Sequence, residues 1–125
     1  MPSKETLEKF IARVEQNAHA EAIEEFYAFN ISIRENQDEP RIVSRALHAA
    51  NERTFLTRAK SVQSRCVHPV FVNGDAVVIR WIFHFDWLDG TVTHMEELAY
   101  QRWEGQCIKE EQFFYDPAQR LPKKP

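Results

Sequence analysis

Residues 94–117 read HMEELAYQRWEGQCIKEEQFFYDP, and the fold follows from how they divide. Two runs that mix aromatic and aliphatic residues with charges flank Glu104-Gly105-Gln106. A short glycine-containing loop between two such runs is a hairpin signal. Asp116-Pro117 then stops the second run, because proline has no amide hydrogen to continue a ladder.

Working outward, the chain has three glycines, and the other two fall in Asn73-Gly74 and Asp89-Gly90. Both pairs are turn signals, since both residue types accept positive φ. The turns separate four expected strands, at about 62–72, 76–87, 91–103 and 107–115. Pro69 suits an edge strand or a bulge in the first of them.

Before residue 60 the periodicity is helical. Ser3 or Thr6 can cap a first helix, in which Leu7, Phe10, Ile11 and Val14 form one apolar stripe. After a break at Asn17-Ala18-His19, a second helix is expected over Ala20 to Tyr27, with Ile23, Phe26 and Tyr27 on one side. Asn30 to Arg34 alternates as a short strand, and residues 35–40 (ENQDEP) form a polar loop. A third helix is expected to begin at Arg41, with Ile42, Ala46, Ala49 and Ala50 available for packing.

The 125 residues suffice for one domain with its own core, taken as about 3–117, and residues 118–125 read as a polar tail. A net charge of -3 does not suit a nucleic-acid platform, which needs a basic patch or stripe. No apolar run reaches the roughly 18 residues of a membrane helix, and the polar N-terminus does not fit a secretory signal. A cytoplasmic protein is therefore expected. Cys66 and Cys107 are too few for a disulfide scaffold and are expected to act as small buried hydrophobes. There is no glycine-rich phosphate loop, no GxSxG elbow, no recognisable Cys–His pair and no HxxxH spacing, so neither a metal nor a cofactor is assigned.

EELAYQRW followed by a glycine turn and IKEEQFFYDP resembles the closing strands of SnoaL-like proteins of the nuclear transport factor 2 (ketosteroid isomerase-like) superfamily. The resemblance extends, more weakly, from the first helix to Asp116. It implies an α+β fold in which a curved antiparallel sheet wraps around three helices, forming a cone with a pocket at its mouth. Helix, helix, short strand, helix and a four-strand meander is the order this fold requires, and the local signals give the same order.

Residues 76–87 present two different faces. Val77, Ile79, Trp81, Phe83, Phe85 and Trp87 are wholly apolar, whereas Ala76, Val78, Arg80, Ile82, His84 and Asp86 are mixed. A sheet covered by helices on one side would turn the aromatic face inward. Registration on the family favours the opposite. It points Glu111, Phe113 and Tyr115 into the pocket with Glu97, Ala99 and Gln101, and a two-residue Asp89-Gly90 turn adds Arg80, Ile82 and His84. The aromatic face would then lie outside and be covered in a homodimer, as is common in the superfamily. We adopt this second arrangement as the expectation; a one-residue slip in either turn reverses it.

Ketosteroid isomerase needs a carboxylate base, an oxyanion-binding tyrosine and a protonated aspartic acid. The resemblance puts Glu35 at the base position but Ile11 and Ala99 at the other two, so steroid isomerisation is not expected. Limonene epoxide hydrolase uses an aspartate–arginine–aspartate group, whose last aspartate would fall on Phe113. Arg80 between Glu97 and Glu111 is the expected analogue, against the alternative of a plain surface ion pair. SnoaL-type cyclases pair an acid/base aspartate with a histidine, for which His84 is the candidate here.

The expected function is a cofactor-independent isomerase, cyclase or hydrolase for a small apolar molecule. Glu97, Glu111, Arg80, His84 and Glu35 are its candidate acid/base groups, and Tyr27, Ile82, Ala99, Phe113 and Tyr115 its candidate ligand contacts. The rival is a non-catalytic ligand-binding or protein-association module of the same fold.

Overall fold

The computed structural model describes residues 1–125. Helix α1 (Lys4–Glu15) starts where the Ser3 hydroxyl accepts the Thr6 amide, and it buries Leu7, Phe10, Ile11 and Val14. It ends before Asn17, whose φ of 64° lies in the left-handed region used to close helices. Helix α2 (His19–Phe26) leads directly into strand β1 (Tyr27–Glu35).

The third helix does not begin at Arg41. Strand β2 (Arg41–Ser44) pairs antiparallel with β1, Asn30 opposite Ser44 and Ile33 opposite Arg41. Helix α3 (Arg45–Leu56) follows, capped by the Ser44 hydroxyl, which accepts from the Leu47 amide. Ile42 and Val43 fit a helical stripe, but Ser44 is the N-cap, and a capping serine belongs just before the first helical residue.

The meander is made of β3 (Ala59–Asn73), β4 (Ala76–Trp87), β5 (Val92–Glu104) and β6 (Cys107–Tyr115), close to the expected bounds. The six strands run in the order β2-β1-β6-β5-β4-β3. The sheet is mixed rather than wholly antiparallel, because β1 runs parallel to β6. β3 is an edge strand whose register shifts between Val67 and Phe71, around Pro69. Nowhere is there a helix long and apolar enough to cross a membrane.

The turn before β5 decides which face is inside. Leu88, Asp89 and Gly90 form a three-residue loop, not the expected two-residue one. The Trp87 amide donates to the Thr91 carbonyl, Gly90 takes a φ of 88°, and Asp89 Oδ1 accepts from the Thr91 amide and hydroxyl. That one extra residue puts Trp81, not Ile82, opposite Glu97 and leaves Arg80 opposite Leu98. The aromatic face of β4 therefore faces the helices, and the core gathers Val77, Ile79, Trp81, Phe83 and Phe85 with Phe10, Trp103 and Ile108. The expectation of an outward aromatic face is overturned; the reason is the side-chain period of two, by which a single slip exchanges the faces.

The C-terminal segment is held rather than free. The Asp116 side chain accepts from the Ala118 amide and Pro117 opens a short helix, α4 (Pro117–Arg120). Val92 and Lys123 then exchange both backbone hydrogen bonds at 2.8 Å.

Candidate active site

Between the concave sheet face and the helices lies a cavity of about 300 Å³, at the lower end of the usual size for small-molecule sites. Its walls are aromatic: Trp81 stacks on Phe83 with ring centroids 5.7 Å apart, and Phe85 stacks on Trp87 at 5.0 Å. Glu97 and Glu111 project into it from neighbouring strands, Glu97 opposite Tyr115 and Glu111 opposite Gln101.

Glu111 is 3 % exposed and well held. Tyr27 donates its hydroxyl to Oε1, and Gln101 Nε2 donates to Oε2 at 2.7 Å. Gln101, itself fully buried, is oriented by Trp103 Nε1, which donates to its Oε1 at 3.0 Å. Burial pushes the Glu111 carboxyl up to about 7, against the pull of the two donors that favour its ionised form. The Tyr27 hydroxyl is driven well above its ordinary value by burial and by the adjacent carboxylate, so it stays a donor.

Glu97 has no hydrogen-bond partner in the protein. Burial first, and then the nearby Glu111 charge, raise its carboxyl to about 8, while Arg120 opposes them. Part of its surface is open to the cavity, so cavity water moderates the shift more than at Glu111. The two carboxyls face one cavity and titrate as a pair. At neutral pH the less supported one, Glu97, keeps its proton, and the donor-supported Glu111 is the first to ionise.

The mouth carries the positive charge. Arg120 Nη1 donates to Glu35 Oε1 at 2.9 Å and to the Tyr115 hydroxyl at 2.8 Å, and its guanidinium lies 5.1 Å from the Tyr115 ring centre. Arg41 approaches Glu35 from β2 at 3.8 Å. On the helix side, His19 Nδ1 meets Glu52 Oε1 at 3.3 Å and Nε2 meets Ser64 Oγ at 2.7 Å. His48, lowered by burial, stands beside Tyr27 with ring centroids 5.6 Å apart. No three His, Cys, Asp or Glu side chains are grouped to hold a metal ion.

Of the residues singled out from sequence, Glu35, Glu97, Glu111, Tyr27, Phe113 and Tyr115 line the cavity. Ala99 is fully buried under it but does not line it. Arg80, Ile82 and His84 lie on the outer sheet face, where Arg80 pairs with Glu96 at 2.7 Å instead of with Glu97 and Glu111. The slipped register before β5 accounts for all three. The arginine that does serve the cavity, Arg120, lies in the segment read as tail. Asp116-Pro117 was the signal, since an N-cap aspartate with proline at the first helical position marks a helix start as well as a strand end. His48 and Glu52, one turn apart on α3, were also missed. Replacing Arg120 with Gln removes the charge that holds Glu97 down, so its carboxyl should titrate at higher pH, as read by carboxyl-carbon NMR; an unmoved Glu97 would contradict the arrangement.

No protein-family model and no curated protein matches the sequence. Solved structures do match in fold. A candidate SnoaL-like polyketide cyclase from Mesorhizobium loti superposes with a TM-score of 0.73 at 21% identity, over 92% of this chain and 100% of the other. An LEH-like epoxide hydrolase from M. tuberculosis gives 0.73 at 11% identity, over 93% and 84%. A nuclear transport factor 2-like protein of unknown function from Exiguobacterium sp. 255-15 gives 0.67 at 16%, over 90% and 98%. The chain has the nuclear transport factor 2-like fold. At these identities the likeness is one of architecture, and the chemistry of this NTF2-like domain has to be argued from its own cavity.

Proposed function

We propose that this domain catalyses proton transfer to and from a small, largely apolar carbonyl compound, as an isomerase or cyclase of SnoaL-like type. The observation that carries this reading is the pair of buried carboxyls with different support, Glu111 held by two donors and Glu97 by none. Two neighbouring carboxyls raised into the neutral range by burial, with unequal hydrogen-bond support, mark a candidate base and acid in one site. Glu111 as carboxylate takes a proton from the carbon beside the carbonyl. Glu97 as carboxylic acid gives its proton to the carbonyl oxygen, and an enol results. Return of the proton to another carbon completes an isomerisation; attack of the enol carbon on a second carbonyl closes a ring, with the enol proton going back to Glu97 and the proton on Glu111 passing to the new alkoxide. Both transfers are assigned to side chains, so the proposed reaction draws on no cofactor.

The aromatic walls select a flat apolar body, and the Arg120–Glu35–Tyr115 group at the mouth offers polar contacts to its exposed end. The test is deuterium uptake from heavy water into a panel of small cyclic ketones, followed by NMR. Accelerated uptake beside the carbonyl is expected. Ligands that bind without exchange would replace this reading with the non-catalytic binding module.

For assembly, we propose a homodimer through a different set of residues, since the aromatic face is used internally. Leu98, Tyr100 and Phe114 are 43 %, 45 % and 37 % exposed on the outer sheet face, with Leu98 directly opposite Phe114. The Arg80–Glu96 and Arg102–Glu110 pairs beside them give a two-fold partner charges of both signs. Leu98→Glu should weaken dimerisation by about tenfold or more in sedimentation velocity, a common cost for a central apolar contact. A wild-type chain that stays monomeric at high concentration would rule the dimer out.

A further inference from the structure

The outer sheet face brings together two histidines that the sequence did not pair. His84 on β4 and His94 on β5 are directly opposite each other. Their Nδ1 atoms are 3.3 Å apart, with ring centroids at 5.5 Å and planes inclined by 54°, so the two rings turn the same nitrogen toward each other. His84 Nε2 lies 3.3 Å from Asp86 Oδ1, and Asp86 Oδ2 accepts from the Ser61 hydroxyl at 2.8 Å. Asp86 thereby keeps a proton on Nε2 and leaves the lone pair of His84 on Nδ1, facing His94. A carboxylate behind a ligating histidine is the recurrent way in which proteins fix its tautomer and direction.

Two imidazole nitrogens bound to one zinc ion at about 2.05 Å in tetrahedral geometry are about 3.4 Å apart. The His84–His94 separation matches that spacing without movement of the backbone. From these contacts we propose that the pair is a binding site for an exchangeable borderline divalent cation of the Zn²⁺ class, with water in the two remaining positions. Imidazole suits such ions, whereas Mg²⁺ and Ca²⁺ require oxygen donors. In the free protein His94 donates its Nδ1 proton to His84 Nδ1. On binding, two nitrogen–metal bonds form, that hydrogen bond is lost, and the His94 proton moves to Nε2, so that neutral rings release no net proton. Two protein ligands are fewer than the four of a structural zinc centre, and the ion is accordingly not needed for folding. The site lies on the opposite face of the sheet from the cavity, so its test is independent of the proposed reaction.

Titration of the full chain with zinc chloride by calorimetry, with NMR of the histidine ring nitrogens, decides the matter. One ion per chain is expected, with the Nδ1 resonances of His84 and His94 shifting together. His94→Ala should weaken binding by about 100-fold and Asp86→Asn by about tenfold, in line with the loss of a ligand and of its orienting group. His68→Gln, on a different part of the surface, should leave binding unchanged. Absence of binding to the wild-type chain, undiminished binding to His94→Ala, or shifts confined to other histidines would overturn the proposal.

Discussion

Glu111→Gln slows proton exchange at the carbon beside the carbonyl by about 10²- to 10⁴-fold, the range that a positioned general base contributes. The substitution keeps the shape of the side chain, and its amide oxygen still accepts one of the two hydrogen bonds made by Tyr27 and Gln101. Ligand affinity is therefore expected to change far less than rate. In the wild-type chain the rate should follow a bell in pH. It rises as Glu111 ionises, near 7, and falls as Glu97 loses its proton, near 8. These are values of the pair, and the limbs of the bell report them as such. A Glu111→Gln variant with wild-type exchange, or a rate that climbs steadily through pH 9, would contradict the assignment of base and acid.

The second large effect is on stability, and it has the opposite sense at the same site. Glu97 has a folded value of about 8 against an ordinary 4.5. As pH rises above about 4.5 the unfolded chain ionises this carboxyl while the folded chain keeps it protonated. Stability then falls by about 1.4 kcal/mol per pH unit for each such group, until pH passes its folded value. Glu111 adds a similar loss that ends near 7. Glu97→Gln removes one of these losses. The variant should match the wild type near pH 4 and exceed it by roughly 2 kcal/mol near pH 8 in urea unfolding, after discounting for water in the cavity. A gain of equal size at both pH values would show that burial of the charge is not its cause. The same change should lower the exchange rate, which is the trade-off expected where a site is built from groups that destabilise the fold.

The fold was legible because its punctuation is local. Ser3, the three glycines and Asp116-Pro117 each act on their immediate neighbours, and of the meander they delimit β4, β5 and β6 were found to within one residue, while β3 begins three residues earlier than expected. The parallel β1–β6 pairing was not, since nothing in Tyr27–Glu35 says which distant strand it will meet. The site was legible in part for the same reason. Glu97 and Glu111 lie on one face, as the loop expected at Glu104-Gly105-Gln106 implied, although by another route: the turn holds two residues, Gly105-Gln106, and a register shift between Arg102 and Trp103 restores the pairing of faces. Arg80 and His84 were misplaced because Asp89-Gly90 fits both a two-residue turn and the last two positions of a three-residue one. Charged residues on β4 then looked like pocket groups, although Arg80–Glu96 is a solvated ion pair worth little. Arg120 is brought to the mouth by contacts of the chain end with Val92, Thr93 and Glu96, all far away in sequence.

Two carboxyls that share one aromatic cavity hold protons near neutral pH. Selective carbon labelling of glutamate and a carboxyl-carbon NMR titration, with Glu97→Gln and Glu111→Gln for assignment, measures this directly. Apparent values of about 7 and about 8 for the pair, well apart from the surface glutamates, are the predicted result. Two carboxyls titrating with the surface glutamates, near 4.5, would contradict it and remove the basis for the proposed acid and base.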